Sequence, residues 1–359
     1  MFVFKYLLWP FAWLYDLATR IRNYLYDIGH KQSFEFDSVI ISVGNLNVGG
    51  SGKTPMIECL IRLLADRYKV ATLSRGYGRK THGIIISSEL DNARTLGDEP
   101  FQLLRKFDDQ IKVVVGEERA LAIPTILHQY PDVQVILMDD AFQHRAVKPQ
   151  FSILVTDYEK PFYKDFLLPF GRLREARKGA CRADIIVVTK ADGIREEEMT
   201  LMTRSIHKIV GEKPVFFSGL NYQQPLSIHH QNPIDKKVVL VSGIAKNSHF
   251  EREVSKLYEV VKHFCFEDHH VFTVEDIHRI QQSADEYQVS SILTTEKDMV
   301  KLIIPQLLPL LQNKHWFYLP VKSVFLKDGI HFDKMIIRMV EENIQRLSVE
   351  KNQTPLTNH

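Results

Sequence analysis

The stretch VIISVGNLNVGGSGKT, residues 39–54, decides how the rest of the chain is read. Val39 to Val43 is short, apolar and β-branched, the composition of a buried strand. Asn45 to Gly52 is dense in Gly and Asn, so the backbone can turn tightly and take positive φ. Lys53 and Thr54 then open the helical stretch PMIECLIRLLADRY. Strand, glycine loop, Lys-Thr and helix together predict a phosphate-binding loop. Its N–H groups and the helix N-terminus offer partial positive charge to a polyphosphate. Lys53 adds a full charge between β- and γ-phosphates, and the Thr54 hydroxyl is suited to ligate Mg²⁺. The expected nucleotide-binding residues are Asn47, Val48, Gly49, Gly50, Ser51, Gly52, Lys53 and Thr54. The strict pattern has glycine at position 47. Asn is the next most tolerant residue in the left-handed region, so the loop is expected to close with Asn47 there.

Downstream, strands lead toward the same end of a sheet. KVATLSRG (69–76) delivers Arg75, Tyr77 and Arg79 to the carboxyl end, where open α/β sheets bind ligands. GIIIS (83–87) reads as a short edge strand. Asp98 precedes Glu99-Pro100 and the helical FQLLRKF, a pattern that fits a helix N-cap as readily as a functional carboxylate. KVVVG (112–116) is a strand, followed by a helix with Arg119 near its start and Pro124 inside. VQVILMDDAFQHR (133–145) is a buried strand ending in Asp139 and Asp140, where a carboxylate reaches Mg²⁺ directly or through water. Gln143 and His144 follow within reach of the same place. In LLPFGRLREARKGACRADIIVVTKAD (167–192), Arg172, Arg174, Arg177 and Lys178 cluster around Glu175, and cations there suit a transferring phosphoryl group. Thr189-Lys190-Ala191-Asp192 resembles the guanine-reading motif of GTPases.

Composition narrows the class. At 359 residues the chain has room for two cores. A net charge of +2 argues against a nucleic-acid binder. Cys59, Cys181 and Cys265 are isolated, with no CxxC pair, so disulfides and a zinc site are not expected and a reducing compartment fits. Residues 1–30 are dense in Phe, Trp, Tyr and Leu, but Lys5, Asp16, Arg20 and Arg22 interrupt any transmembrane run. An interfacial helix suits better, started or kinked by Pro10, with Arg20, Arg22 and Lys31 available to anionic head groups. The alternative is a helix packed on the protein's own core.

The pattern loosens near residues 211–236, where a linker is expected. His229 and His230 lie in it without an acid or Cys at ligand spacing. KVVLVSGI, HFCFED, VEDIHRIQQSADEY, SSILTTEKD and HWFYLPV then repeat an α/β rhythm without a phosphate loop. Phe266-Glu267-Asp268-His269-His270 stands at a strand end facing an interdomain cleft. The expected architecture is α/β: a P-loop NTPase-like parallel-sheet domain (31–220), a second, smaller α/β domain (221–350), an amino-terminal amphipathic membrane helix (1–30) and a disordered tail (351–359).

With GNLNVGGSGKTP, SRGYGR, GDEP, MDDAFQHR, PFGRLRE and FEDHH in this order, the chain resembles the tetraacyldisaccharide 4′-kinase family of the lipid A pathway over nearly its whole length. That family's pattern also lacks the glycine at position 47. The resemblance implies transfer of the γ-phosphate of ATP, with Mg²⁺, to the 4′-hydroxyl of an acylated glucosamine disaccharide 1-phosphate, giving lipid IVA. It implies a peripheral or monotopic protein at the cytoplasmic face of the bacterial inner membrane. It selects Asp98 as the base, with His269 or His270 paired to it, and Lys53, Arg174 and Glu175 as further catalytic residues. Thr54 and one of Asp139 and Asp140 would hold the metal. Arg75, Tyr77, Glu99, Arg119, Gln143, His144 and His270 would support the substrate. Oligomeric state is not fixed by the sequence, and a monomer is expected. Two other classes compete. A GTPase switch is suggested by TKAD, but neither acid is followed by the DxxG spacing. A noncatalytic membrane-associated nucleotide-binding module is the other.

Overall fold

The computed structural model describes residues 8–229, 232–245 and 247–353. The first of two sheets begins with β1 (Val39–Gly44), β2 (Val70–Ser74), β3 (Ile85–Ile86), β4 (Ile111–Val115), β5 (Val135–Asp139), β6 (Phe151–Asp157), β7 (Ile185–Thr189) and β8 (Val215–Tyr222). The second contains β9 (Leu226–Ser227), β10 (Lys237–Ser242), β11 (Glu259–Cys265), β12 (Ser291–Thr295) and β13 (His315–Leu319), in the order β11-β10-β12-β13-β9. A last strand, β14 (Val321–Phe325), returns to the first sheet, whose order is β14-β8-β7-β6-β1-β5-β2-β4-β3. From β8 to β4 that sheet is parallel; β3 and β14 are antiparallel edges.

All six residues of β1 are buried, because helices cover both faces of a parallel sheet. On one face Val39, Ile41 and Val43 join Met56, Leu60 and Leu64 of the helix that follows the loop. On the other Ile40 joins Ile123, Ile136 and Met138. The register sets Val43 beside Asp139, so the phosphate loop and the acid pair leave the sheet together.

The helices are α1 (Trp9–Asp27), α2 (Lys53–Leu64), α3 (Ala93–Leu96), α4 (Asp98–Phe107), α5 (Arg119–Gln129), α6 (Glu196–Val210), α7 (Asn247–Val254), α8 (Val274–Glu286), α9 (Glu296–Leu302), α10 (Leu308–Leu311) and α11 (Gly329–Gln353). Pro10 starts α1 rather than kinking it. None of these helices is long and apolar enough to cross a membrane. Of the expected amino-terminal helix, residues 1–30, positions 1–7 lie outside the described residues, as does His230.

Four expectations differ from the structure. HWFYLPV, read as one strand, is two, because Pro320 carries no N–H and ends the ladder. β13 stays in the second sheet, whereas β14 pairs with β8. Phe332, Ile336 and Val340 of α11 then enter the first sheet's core, so residues 321–350, expected in the second domain (221–350), pack with the first unit. The tail expected from 351 is helical to Gln353, and its remainder lies outside the described residues. Asp98 is not the N-cap of α4. Gly97, at φ 97°, is the cap, and Asp98 occupies the first turn.

α4 and α9 join the two units. Ala93, Leu96, Phe101 and Val115 of the first pack against Met299 and Val300 of the second. Lys106 links buried Glu58 to Glu296 at 2.7 Å each.

Candidate active site

The loop after β1 turns on two left-handed glycines, Gly49 at φ 106° and Gly52 at φ 82°, the latter capping α2. A Cβ at Gly49 or Gly50 would meet no protein atom within 4 Å, so a cradle stands open over them. A Cβ at Gly52 would lie 3.2 Å from Thr189, whose hydroxyl donates to Ser51 O at 2.7 Å. Lys190 contacts Gly50 O, and Asp192 Oδ1 accepts the Leu220 N–H at 2.9 Å. The TKAD segment therefore buttresses the loop and the neighbouring strand. Asn47 corrects the sequence reading: it is not left-handed but pairs with Leu173 in an extended bridge. Its Nδ2 donates to Asp165 at 2.8 Å, and Val48 N donates to Arg172 O at 2.8 Å. The loop closes by docking on the PFGRLRE segment, which removes the need for a glycine there.

Lys53 Nζ lies 3.6 Å from Asp140 Oδ1 and 3.4 Å from Asn45 Oδ1. Arg174 donates to Asp140 Oδ2 at 3.0 Å and to Asn45 Oδ1 at 3.1 Å. Burial alone would raise the Asp140 carboxyl, but Lys53 and Arg174 outweigh it and hold the group below the usual carboxylate range. Asp139 is buried, and burial followed by the charge of Glu99 raises its carboxyl to about 7. Its Oδ1 accepts the Asp140 N–H at 2.8 Å. Arg119, also buried, donates to the carbonyls of both acids and so fixes their backbone.

These residues fit a metal-bound polyphosphate. Asp140 Oδ1 and Ser51 Oγ are buried without a hydrogen-bond partner beside the open cradle. Among the described residues no group of three or more His, Cys, Asp or Glu could hold a metal ion by itself. Mg²⁺ needs none, since it binds through one or two carboxylates plus substrate phosphates. Thr54 lies in the first turn of α2 and lines the cleft between the loop and the second sheet.

The loop, the acids and the second unit enclose a cleft of about 620 Å³. Arg75, Tyr77, Glu99, Arg119, Gln143 and His144 line it from the first unit, and Asp268, His269 and Lys297 from the second. His269, left-handed at φ 63°, places Nδ1 3.3 Å from Asp98 Oδ2. Its ring meets Tyr77 edge-on, with centroids 5.3 Å apart. His270 turns away, with Nε2 2.9 Å from Asp276 and its ring stacked on Phe266. The sequence left the two histidines open, and geometry sets His269 beside Asp98. Asp98 is not among the residues that line the cleft; it borders it through His269 and the adjacent Glu99, its side chain 18% exposed. Burial, then Arg119 and Arg22, lower His144 to about 4.

Glu175 differs from expectation. It is buried, and its oxygens accept from Asn23 at 3.0 Å, Gln143 at 3.1 Å and Arg182 at 2.7 Å. It therefore organises the floor of the site from outside the cleft. Arg182, not the expected basic cluster, is its ion-pair partner; Arg172 pairs with Asp165 and Arg177 donates to the Asp165 carbonyl. Helix α1 docks on the same floor through Tyr15 to Arg174 O at 2.8 Å and Arg22 to Gln143 O at 2.6 Å. Arg22 thus faces the cleft rather than outward, and Arg20 pairs with Asp16. Sequence reasoning missed Asn45, Tyr15, Asn23 and Lys297. None of them carried a signal, and Lys297 in SSILTTEKD reads as an ordinary helix-start lysine.

A parallel sheet, a phosphate loop backed by a strand-end acid pair, and a second α/β unit closing the cleft define a P-loop kinase fold. The family model described as tetraacyldisaccharide-1-P 4′-kinase, LpxK, matches residues 4–341, and the chain belongs to that family. It is 42% identical over 355 residues to the tetraacyldisaccharide 4′-kinase of Flavobacterium johnsoniae, covering 96% of this chain and 100% of that one. The enzyme of the same name from Parabacteroides distasonis is 39% identical, with 95% and 96% covered. The crystal structure of LpxK from Aquifex aeolicus in complex with ATP is similar at a TM-score of 0.74 and 30% identity, covering 94% of this chain and 99% of that one.

Proposed function

We propose that the protein transfers the γ-phosphate of ATP to the 4′-hydroxyl of a tetraacyldisaccharide 1-phosphate at a membrane surface, as a peripheral or monotopic enzyme of the cytoplasmic face of the bacterial inner membrane. The observation that carries the reading is the pairing of Asp98 with His269 at the edge of the cleft that also holds Lys53, Asp140 and Arg174. A sugar hydroxyl is a weak nucleophile, so a positioned carboxylate base assists it. Asp98 Oδ2 faces His269, and Oδ1 makes no hydrogen bond among the described residues and is left for the hydroxyl proton. Lys53, with the loop N–H groups, holds the phosphates, and Arg174 faces the transferring group. Thr54 and Asp140 would hold Mg²⁺, which when bound neutralises charge between the phosphates. Asp139, Arg119 and Glu175 would fix the positions of these groups. Arg75, Tyr77, Glu99, Gln143 and His144 would face the acceptor.

Membrane contact is supported by α1. Trp9, Trp13, Leu17, Ile21, Tyr24 and Ile28, spaced by three or four residues, form one exposed apolar stripe opposite the face that docks on the site. Such a stripe suits an interface-lying helix, which would bring an acceptor whose acyl chains stay in the bilayer up to the cleft. In the same reading, residues 39–222 with 321–353 form the nucleotide-binding unit, and the second sheet brings His269 and Lys297.

The test is phosphate transfer from labelled ATP to the purified disaccharide 1-phosphate in mixed micelles, with the new phosphate mapped by mass spectrometry. Phosphorylation at the 4′ position, lost in Asp98→Ala, is expected. GTP outcompeting ATP would favour a switch GTPase, and no lipid product at any nucleotide would leave only a binding module.

A further inference from the structure

We propose that Lys297 is a positioning residue that fixes the tautomer of His269, and this rests on the reading of Asp98 as the base. Lys297 Nζ lies 3.1 Å from His269 Nε2 and 3.0 Å from Asp268 Oδ1. An ammonium has donors and no acceptor. The contact therefore requires Nε2 to present its lone pair, which puts the ring's single proton on Nδ1. That nitrogen is the one 3.3 Å from Asp98 Oδ2. Lys297, His269 and Asp98 then form a directed chain: ammonium to Nε2, Nδ1–H to carboxylate. The opposite tautomer would set the Nε2–H against the ammonium, donor to donor, on one side of the ring and the Nδ1 lone pair against the Asp98 carboxylate on the other.

Both ends of this chain are held. Lys297 lies in the first turn of α9, where the Thr295 hydroxyl accepts the Asp298 N–H at 3.0 Å. Asp298, fully buried, accepts the Gly243 N–H at 2.8 Å and so ties the start of α9 to the end of β10. The Tyr77 ring edge and the left-handed backbone at residue 269 restrict the imidazole. Nothing in the sequence at Lys297 distinguishes it from an ordinary helix-start lysine. Its role comes from the 28 positions that separate it from the ring it meets.

A competing role exists. Lys297 also lines the cleft beside Lys53 and Thr54, so it could serve instead as a phosphate contact. Nitrogen-15 NMR of the imidazoles of the full-length protein, with His269 assigned by loss of its signals in His269→Asn, separates the two. The wild type is expected to show the Nδ1–H tautomer, Lys297→Arg to retain it, and Lys297→Met to lose it. Persistence of Nδ1–H in Lys297→Met overturns the proposal. In kinetics, Lys297→Met is expected to lower kcat on the order of 10–100-fold with little change in KM for ATP. It is expected to cost almost nothing further in a His269→Ala background. A raised KM for ATP with the full loss persisting in that background overturns the proposal and marks a phosphate contact. An Asp98→Asn enzyme with wild-type kcat would sink the base assignment, while the NMR result would still decide the tautomer.

Discussion

Asp98 and His269 are 171 positions apart in the chain, yet their side chains meet at 3.3 Å across the joint between the two sheets. Gly97 takes over the capping of α4, so the carboxylate of Asp98 is released from backbone duty. The pair exists only when both units are folded and docked.

Asp98→Asn therefore separates chemistry from helix formation. The amide keeps the shape of the first turn and loses only a charge–dipole term of about 0.3–1 kcal/mol. The expected outcome is a small change in melting temperature, an unchanged KM for ATP, and a kcat lower by roughly 10²–10⁴-fold. A kcat within about threefold of wild type would remove Asp98 from the reaction.

The two strand-end acids should behave differently. Asp140 carries the buried oxygen that accepts no hydrogen bond and has only the Lys53 ammonium at 3.6 Å, whereas Asp139 spends an oxygen on the Asp140 N–H. Asp140→Asn is expected to raise the Mg²⁺ concentration needed for half-maximal activity by about tenfold or more, as loss of one charged ligand implies. Asp139→Asn should shift that titration less. Equal shifts, or none, in a metal titration at saturating ATP would refute the assignment.

Lys53→Ala and Thr54→Ala remove the charge and the hydroxyl at the start of α2 without touching a core residue. Both proteins should fold, as judged by cooperative thermal melts. Each should lose most transfer activity, because positioning and charge neutralisation are the main catalytic terms in phosphoryl transfer. Near wild-type turnover in either, at saturating ATP and Mg²⁺, would contradict the nucleotide site.

His144 supplies a pH signature. Its ordinary value of 6.5 is lowered to about 4 in the folded chain, chiefly by burial. The unfolded chain therefore binds the proton more readily. Stability is complete above about 6.5 and is lost as pH falls toward 4. Urea midpoints measured across that interval should fall with acidification, and His144→Gln should flatten the slope. An unaltered slope would place the acid sensitivity elsewhere.

Helix α1 has two faces that mutate separately. Trp9→Ser, Trp13→Ser and Ile21→Ser combined should abolish cosedimentation with anionic vesicles while leaving turnover of a micellar acceptor nearly intact. Arg22→Ala should do the reverse, since Arg22 holds the Gln143 carbonyl in the site. Deleting residues 1–30 should cost both properties, because Tyr15, Arg22 and Asn23 leave with the stripe. Full activity after that deletion would show that α1 gives the site no support.

The phosphate loop and acid pair were legible because their physics is local: a buried strand, a turn that needs glycine, and a charge at a strand end. Helix α1 was half legible, since its aromatic density announced an unusual surface. The direction of Arg22 depended on a carbonyl 121 positions away. Asn47 was misread for the same reason, because its bridge to Leu173 replaces the left-handed turn that local propensity suggested. Glu175 looked like one charge among many and became a buried hub only through Asn23, Gln143 and Arg182. HWFYLPV held its own warning in Pro320, but no periodicity says which of two sheets a strand will join.

The return of β14 to the first sheet has a consequence during synthesis. When β8 leaves the ribosome its outer edge has no neighbour, because the residues that pair with Ser218 to Tyr222 are Val321 to Phe325. At roughly 5–20 residues per second, the intervening stretch of about 100 residues takes on the order of 5–20 s to emerge. Throughout that interval the nascent chain presents an open parallel-sheet edge, together with the core face that Phe332, Ile336 and Val340 will later cover. Ribosome-stalled chains ending between 223 and 320 should therefore associate with one another or with chaperones, and chains extended past α11 should not.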